Sequence, residues 1–296
     1  MFPVDAKHTV IPQKCTPMSS EKICLIGYGY WGKILHKNLL ELGYDNITIV
    51  DQVLNNYDLF NDSYTSYFIA TPFSSHEKLL KHIYSNFKGK KVWCEKPLVG
   101  SYRSAVYIYD QFKKSDNRLF VDWTYTFNPC VLELKKILEN RKLKQIIINR
   151  TNNGPARTDA NTIMDLSTHD LSMLYYMFDK TISGEYDFNW NEFSMDPTKK
   201  IGSNISWCYR DGTQIIINSS WQHDSKNRIS IFIDDNDDII VFDDIQKTVT
   251  VNGKKVKISS KASPLQNAMK HFFHSKAFDE NQKLTLQISK TVDSEI

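Results

Sequence analysis

The chain has 296 residues and a net charge of +3, from 37 basic and 34 acidic side chains; 41% of its residues are hydrophobic and 24% charged. This is the composition of a globular protein with chain for about two domains at roughly 150 residues each, and it excludes long disorder. The two charge signs are mixed along the sequence, which speaks against a nucleic-acid partner, and no apolar run approaches the roughly 18 residues of a bilayer span.

Residues 1–20 hold Pro3, Pro12 and Pro17 without sustained periodicity and read as an extended lead-in, with none of the pattern of a secretory leader. From residue 22 the chain becomes regular. Strand 22–26 (KICLI) leads to GYGYWG and a helix in which Ile34, Leu35, Leu39, Leu40 and Leu42 recur at helical spacing before a capping Gly43. Strands at 47–50, 67–70, 91–94 and 119–122 follow, separated by a helix after His76 and another over 101–114. This alternation predicts right-handed βαβ units and an α/β fold, with a doubly wound parallel sheet of the Rossmann type over residues 21–122.

Beyond residue 122 the texture changes. A helix over 129–139, a strand at 145–149, a polar loop and a helix around 164–178 lead to strand-like runs at 203–209, 213–221, 228–234, 238–242, 248–251 and 255–258. Asp211-Gly212 and Asn252-Gly253 mark hairpin turns. These predict an α+β domain over 123–296 with a largely antiparallel open sheet, closed by a helix over 263–278 and another near the C-terminus. Strands such as TQIIINSSW carry too few charges for both faces to stay wet, so a homodimer or homotetramer is expected. The five cysteines (Cys15, Cys24, Cys94, Cys130 and Cys208) are dispersed and never paired as CxxC, which fits reduced thiols in the cytoplasm and no metal site.

Three motifs carry chemistry. Gly27-Tyr28-Gly29-Tyr30-Trp31-Gly32 matches GxGxxG between a strand and a helix, and Asp51 ends the next strand, 24 residues after Gly27. Gly27 permits a tight turn, Gly29 lets the backbone approach a pyrophosphate, and Gly32 lets helix and strand pack closely. Asp51 would accept hydrogen bonds from a ribose diol and repel a 2′-phosphate, which favours NAD over NADP. Glu95-Lys96-Pro97 ends a parallel strand, where Lys96 could place its ammonium beside a substrate hydroxyl. Asp165 and His169 stand at i and i+4 on a predicted helix, so the carboxylate would orient the imidazole, support its protonated form, and leave it to act as a general base. In the polar loop 152–162, Asn152 and Arg157 are groups that suit a polyhydroxylated ligand.

Together GYGYWG, Ala70-Thr71-Pro72 with His76, Glu95-Lys96-Pro97 and Asp165-xxx-His169-Asp170 resemble the Gfo/Idh/MocA oxidoreductase family, in its order and at about its spacing. The resemblance implies that Thr71, Pro72, His76, Glu95, Lys96 and Pro97 border the cofactor. It implies too that Lys96, Asp165 and His169 surround the nicotinamide and the oxidised carbon. The segments around Tyr125 and Arg150 are most similar to members linked to sugar-nucleotide metabolism, so both are substrate candidates, and the expected substrate is a sugar, sugar nucleotide or cyclitol oxidised at a secondary alcohol. Only 15 residues separate Asp51 from Tyr67, where the family usually fits another helix and strand. That abbreviation keeps open a non-catalytic dinucleotide sensor, although Lys96, Asp165 and His169 are all present. Tyr109-xxx-Lys113 is read as a solvated helix face, and His271 with His274 as a surface pair.

Overall fold

The computed structural model describes residues 20–52, 60–154, 156, 160–178, 189–193, 201–209, 211–260, 262–274 and 278–295. The lead-in 1–19, Cys15 and Arg157 lie outside the described residues.

The fold is α/β with two sheets. The first is five-stranded and parallel, in the order β2-β1-β3-β4-β5, from β1 (Ile23–Ile26), β2 (Ile47–Val50), β3 (Ser66–Ile69), β4 (Lys91–Cys94) and β5 (Arg118–Val121). Its helices are α1 (Tyr30–Glu41), α2 (His76–Asn86) and α3 (Tyr102–Lys114), the last capped by the Ser101 hydroxyl on the Ser104 N–H. β1 and β3 are buried throughout because both sheet faces are covered, so their apolar residues run without alternation. Cys24, Ile26, Tyr67 and Ile69 belong to one core; Ile23, Leu25 and Phe68 belong to the other.

The second core is closed by the end of the chain. The expected helix over 263–278 is instead α6 (Pro264–His274), followed after residues outside the description by α7 (Phe278–Glu295). Both helices, which the sequence groups with the second domain, return to the first sheet. Phe68, Trp93 and Phe120 lie in register across β3, β4 and β5 with ring centroids 5.5 and 5.1 Å apart, and Phe272 of α6 meets all three at 5.2 to 6.0 Å. Each such aromatic pair adds about 0.5–1.5 kcal/mol to the area it buries. α7 packs on α3 and β5, and the Asn281 amide bonds both the N–H and the carbonyl of Val121. This burial corrects the reading of Tyr109: α7 covers its face of α3, and Tyr109 is a core residue rather than a solvated one, while Lys113 is exposed.

The second sheet is mixed and eight-stranded, in the order β13-β12-β11-β10-β6-β9-β8-β7. Its members are β6 (Leu143–Asn153), β7 (Asn189–Phe193), β8 (Gly202–Cys208), β9 (Gln214–Ser220), β10 (Gln222–Asp234), β11 (Ile239–Asp243), β12 (Thr248–Val251) and β13 (Lys254–Lys255). β6 and β9 run parallel and every other pair antiparallel. β7 was not foreseen, and β13 stops at Lys255, short of the expected 258. Along β6 and β9, Ile146, Ile148, Ile215 and Ile217 point into the core shared with α4 (Pro129–Leu138) and α5 (Thr168–Phe178). Ile147, Ile216, Ile231 and Val241 line up in register on the outer face and are only half buried.

Candidate active site

The parallel sheet changes winding direction between β1 and β3, and ligands of such sheets lie outside the carboxyl ends of the strands at that point. The glycine turn follows β1 there. Gly27 holds φ at +91°, and a Cβ on it would stand 2.7 Å from the Ala70 carbonyl oxygen. A Cβ on Gly32 would stand 2.1 Å from the Gly27 oxygen, so no side chain fits without moving the turn. Gly29 is different, with nothing within 4 Å of its Cβ position. It caps α1 with no side-chain acceptor, and no acidic residue stands in the first turn. Open space in front of helix N–H groups fits a pyrophosphate. Asp51 accepts the Tyr28 N–H on Oδ2 at 2.5 Å, so one of its oxygens also braces the turn. The Tyr28 hydroxyl bonds His36 Nδ1 at 2.8 Å.

His76 is buried, and its two ring nitrogens face the Pro97 carbonyl at 3.0 Å and the Thr71 carbonyl at 3.1 Å. It therefore ties the loop after β3, with Thr71 and Pro72, to the loop after β4, where the Lys96–Pro97 bond is cis. These loops form one wall of a cavity of about 620 Å³; Gly29, Tyr30, Trp31 and Lys96 lie on that side, and Tyr125 and His169 on the other.

Lys96 Nζ donates to the Asp165 carbonyl oxygen at 2.6 Å and to its Oδ1 at 3.2 Å, and Trp221 Nε1 donates to Oδ2 at 2.8 Å. The expected pairing of Asp165 with His169 is therefore absent. Residues Ile163–Ser167 form a π-helical turn, whose extra residue per turn breaks the i, i+4 alignment of an α-helix and presents both carbonyl and carboxylate of Asp165 to Lys96. His169 Nδ1 is buried without a partner. Burial first, then the positive charges of Lys96, Arg150 and Arg228, hold the imidazole's pKa well below its ordinary value. The ring is neutral at pH 7, the reverse of the protonated form expected from an adjacent carboxylate.

Asp122, which the sequence analysis did not single out, follows β5 as Glu95 follows β4 and lines the same cavity. Burial pushes its carboxyl up to about 7; Thr124 donates to Oδ1 at 2.9 Å and Oδ2 has no partner. Glu95 is raised well above the usual range by burial and by the Asp122 charge. The strand-end rule that located Lys96 would have found Asp122 as well.

The opposite wall holds a network of charges. Arg150 sits at an inward position of β6 and grips Asp170 with two bonds, Nε to Oδ2 at 2.8 Å and Nη2 to Oδ1 at 2.6 Å. Its Nη1 donates to the Tyr125 hydroxyl at 2.9 Å, and that hydroxyl donates to Asp244 Oδ2 at 2.6 Å. Asn128 and Lys247 both donate to Asp244 Oδ1. Arg150 and Tyr125 therefore border the cavity with their polar atoms already engaged. Asn152 lies on β6 away from the cavity lining. Arg228, Asp244 and Lys247 line the cavity without having been anticipated, because β10 and the turn after β11 reach it only through strand pairing. His271 is half-buried against Phe127 and Phe120, while His274 is exposed. Among the described residues no group of three His, Cys, Asp or Glu side chains is placed to hold a metal.

Comparison with known proteins agrees with this geometry. Residues 48–123 match the GFO_IDH_MocA family model, described as an oxidoreductase family with an NAD-binding Rossmann fold. The match includes Lys96 and Asp122, while the glycine turn precedes it. No curated protein sequence matches the chain. Among solved structures, an oxidoreductase candidate from Magnetospirillum magnetotacticum MS-1 superposes with a TM-score of 0.80 at 18% identity, over 94% of this chain and 100% of that one. The UDP-N-acetylglucosamine 3-dehydrogenase GnnA from Acidithiobacillus ferrooxidans gives 0.76 at 15% identity, over 93% and 96%. The dehydrogenase MviM from Clostridium difficile gives 0.74 at 13%, over 93% and 98%. At such identities the likeness concerns the fold. The matched segment carries the signature of that family's NAD-binding Rossmann fold, and the solved structures share the architecture over nearly the whole chain.

Proposed function

We propose that the protein is an NAD-dependent dehydrogenase that moves a hydride between nicotinamide and a secondary alcohol carbon of a sugar, sugar nucleotide or cyclitol. The observation that carries the reading is that Lys96 and His169 line one cavity with the helix N-terminus of the glycine turn. Gly29 with the first-turn amides would hold the pyrophosphate and Asp51 the adenosine side, where its charge favours NAD over NADP. NAD supplies the hydride acceptor when bound.

The chain's own residues handle the proton and the oxygen. In the oxidative direction the neutral His169 imidazole takes the hydroxyl proton. The Lys96 ammonium, aimed by the Asp165 carbonyl and carboxylate, stabilises the negative charge that develops on the same oxygen. Trp221 holds the second Asp165 oxygen and so fixes the aim of Lys96. That a structural neighbour is a dehydrogenase of a nucleotide sugar supports the substrate class.

The test pairs calorimetric titration with NAD and NADP with turnover of a panel of sugars, nucleotide sugars and cyclitols followed at the reduced-nicotinamide absorbance. NAD is expected to bind more tightly than NADP. Lys96→Ala is expected to lose turnover by at least about a thousandfold while still binding NAD. Tight NAD binding with no turnover on any panel member would leave a dinucleotide sensor in place of an enzyme.

A further inference from the structure

Arg150 on β6 and Arg228 on β10 are paired directly across two antiparallel strands, both facing the cavity. Like charges opposite one another destabilise a sheet unless each finds its own counter-charge. Arg150 has one in Asp170, on two short bonds. Arg228 does not have an equivalent. Its nearest carboxylate is Asp244, at 3.6 Å from Nη1, beyond hydrogen-bond reach, and its Nε is buried with no partner at all.

Asp244 is already heavily used. Burial works against its charge, but donation from Lys247 at 2.7 Å and from Tyr125 keeps it ionised below the usual carboxylate range. Asn128 adds a third donor. Lys247 makes this contact from the β11–β12 turn, in a left-handed conformation, φ 53°, that a lysine rarely adopts. Two cations, Arg228 and Lys247, thus share one carboxylate that already accepts bonds from Lys247, Tyr125 and Asn128. A third cation, Lys226, is near enough that the Arg228 charge is the main cause lowering its pKa. Elsewhere in the cavity the charges pair off: Lys96 with Asp165, and Arg150 with Asp170. The wall around Arg228 is the one place among the described residues of the cavity where positive charge exceeds negative. A buried N–H without an acceptor is destabilising, and an incoming anion would supply the acceptor.

We infer that Arg228, backed by Lys247, is the subsite for an anionic group, a carboxylate or a phosphoryl, on the sugar-like substrate. The inference rests on the dehydrogenase reading for the identity of the ligand as a sugar derivative, and it narrows that reading: neutral sugars and cyclitols fill the cavity without meeting the surplus charge. Arg150, with three of its five N–H groups on Asp170 and Tyr125, is also the strut that presents Arg228.

The experiment titrates the full chain, with and without saturating NAD, with glucose, glucuronate, glucose 6-phosphate and UDP-glucose. At low salt at least one anionic probe is expected to bind about 10- to 100-fold more tightly than glucose, the range of a hydrogen-bonded charge pair, and the preference is expected to shrink as salt is added. Glucuronate against the two phosphorylated probes distinguishes carboxylate from phosphoryl recognition. Arg228→Gln is expected to abolish the preference and Arg228→Lys to restore part of it, with thermal melting checking that each variant is folded. Equal affinity for glucose and all three anions, including no binding by any, overturns the inference, as does a preference that survives Arg228→Gln. A protein that discriminates anions but fails to bind NAD retains the subsite and loses the dehydrogenase reading.

Discussion

The five-stranded sheet presents its functional groups from loops at strand ends, while the eight-stranded sheet presents Arg150 and Arg228 from the faces of its strands. On the first wall, the glycine turn, Thr71, Glu95 and Lys96 each stand within a few residues of the strand that carries them. These residues stand where the backbone leaves the sheet, so the motifs that mark them are local and short. On the second wall Arg150 occupies an inward position of β6 where a hydrophobic residue would otherwise sit, and its partners Asp170 and Tyr125 come from other segments of the chain. A functional charge at a strand end can be read as a motif, whereas one on a strand face is a property of the pairing.

The sharpest way to break the first wall is Gly32→Ala. Its Cβ would meet the Gly27 oxygen at 2.1 Å, so the turn is expected to shift and NAD affinity to fall at least about 100-fold by calorimetry. An unchanged affinity would mean that the turn is not the cradle. The second wall is tested next by Arg150→Met, which leaves Asp170 buried without its partner and is expected to cost about 3–5 kcal/mol in denaturant unfolding. The double variant Arg150→Met, Asp170→Leu is expected to recover most of that loss. A single variant as stable as the parent would show that the pair is not a strut.

The smallest effect, and the one that separates the walls by pH, comes from Asp122. Its folded pKa is raised to about 7 by burial, against about 3.9 unfolded, so the folded state binds the extra proton between those values. Below pH 4 both states are protonated and the group is neutral in its effect. As pH rises from about 4 to 7 the unfolded chain ionises this group while the fold keeps it protonated, and stability falls. Asp122→Asn is therefore expected to melt higher than the parent at pH 8, by about 1–3 kcal/mol once the buried amide N–H is counted, with the gap closing toward pH 4. A pH-independent difference would place the cause elsewhere than in ionisation.

Much of the first wall was legible because each signal there is short range: three glycines in six residues, a lysine before a proline at a strand end, an acidic residue closing the next strand. Asp165 and His169 were visible as residues but not as a geometry. Their spacing implied a shared helix face, and the π turn sends Asp165 to Lys96 and Trp221 instead. Nothing in the local sequence marks that turn. Tyr109 misled in the same manner, since the helix that buries it arrives from the far end of the chain.

By itself the sequence determined the alternation of strands and helices, the position of the glycine turn and the presence of Lys96 and His169, because hydrophobic period and turn chemistry act over a few residues. Only the tertiary structure decided which charges are spent and which are left over. Arg150 and Arg228 are 78 residues apart in the chain and become neighbours solely through the pairing of β6 with β10. An arginine's meaning there depends on the carboxylate that reaches it: Asp170 satisfies one, and no equivalent partner reaches the other.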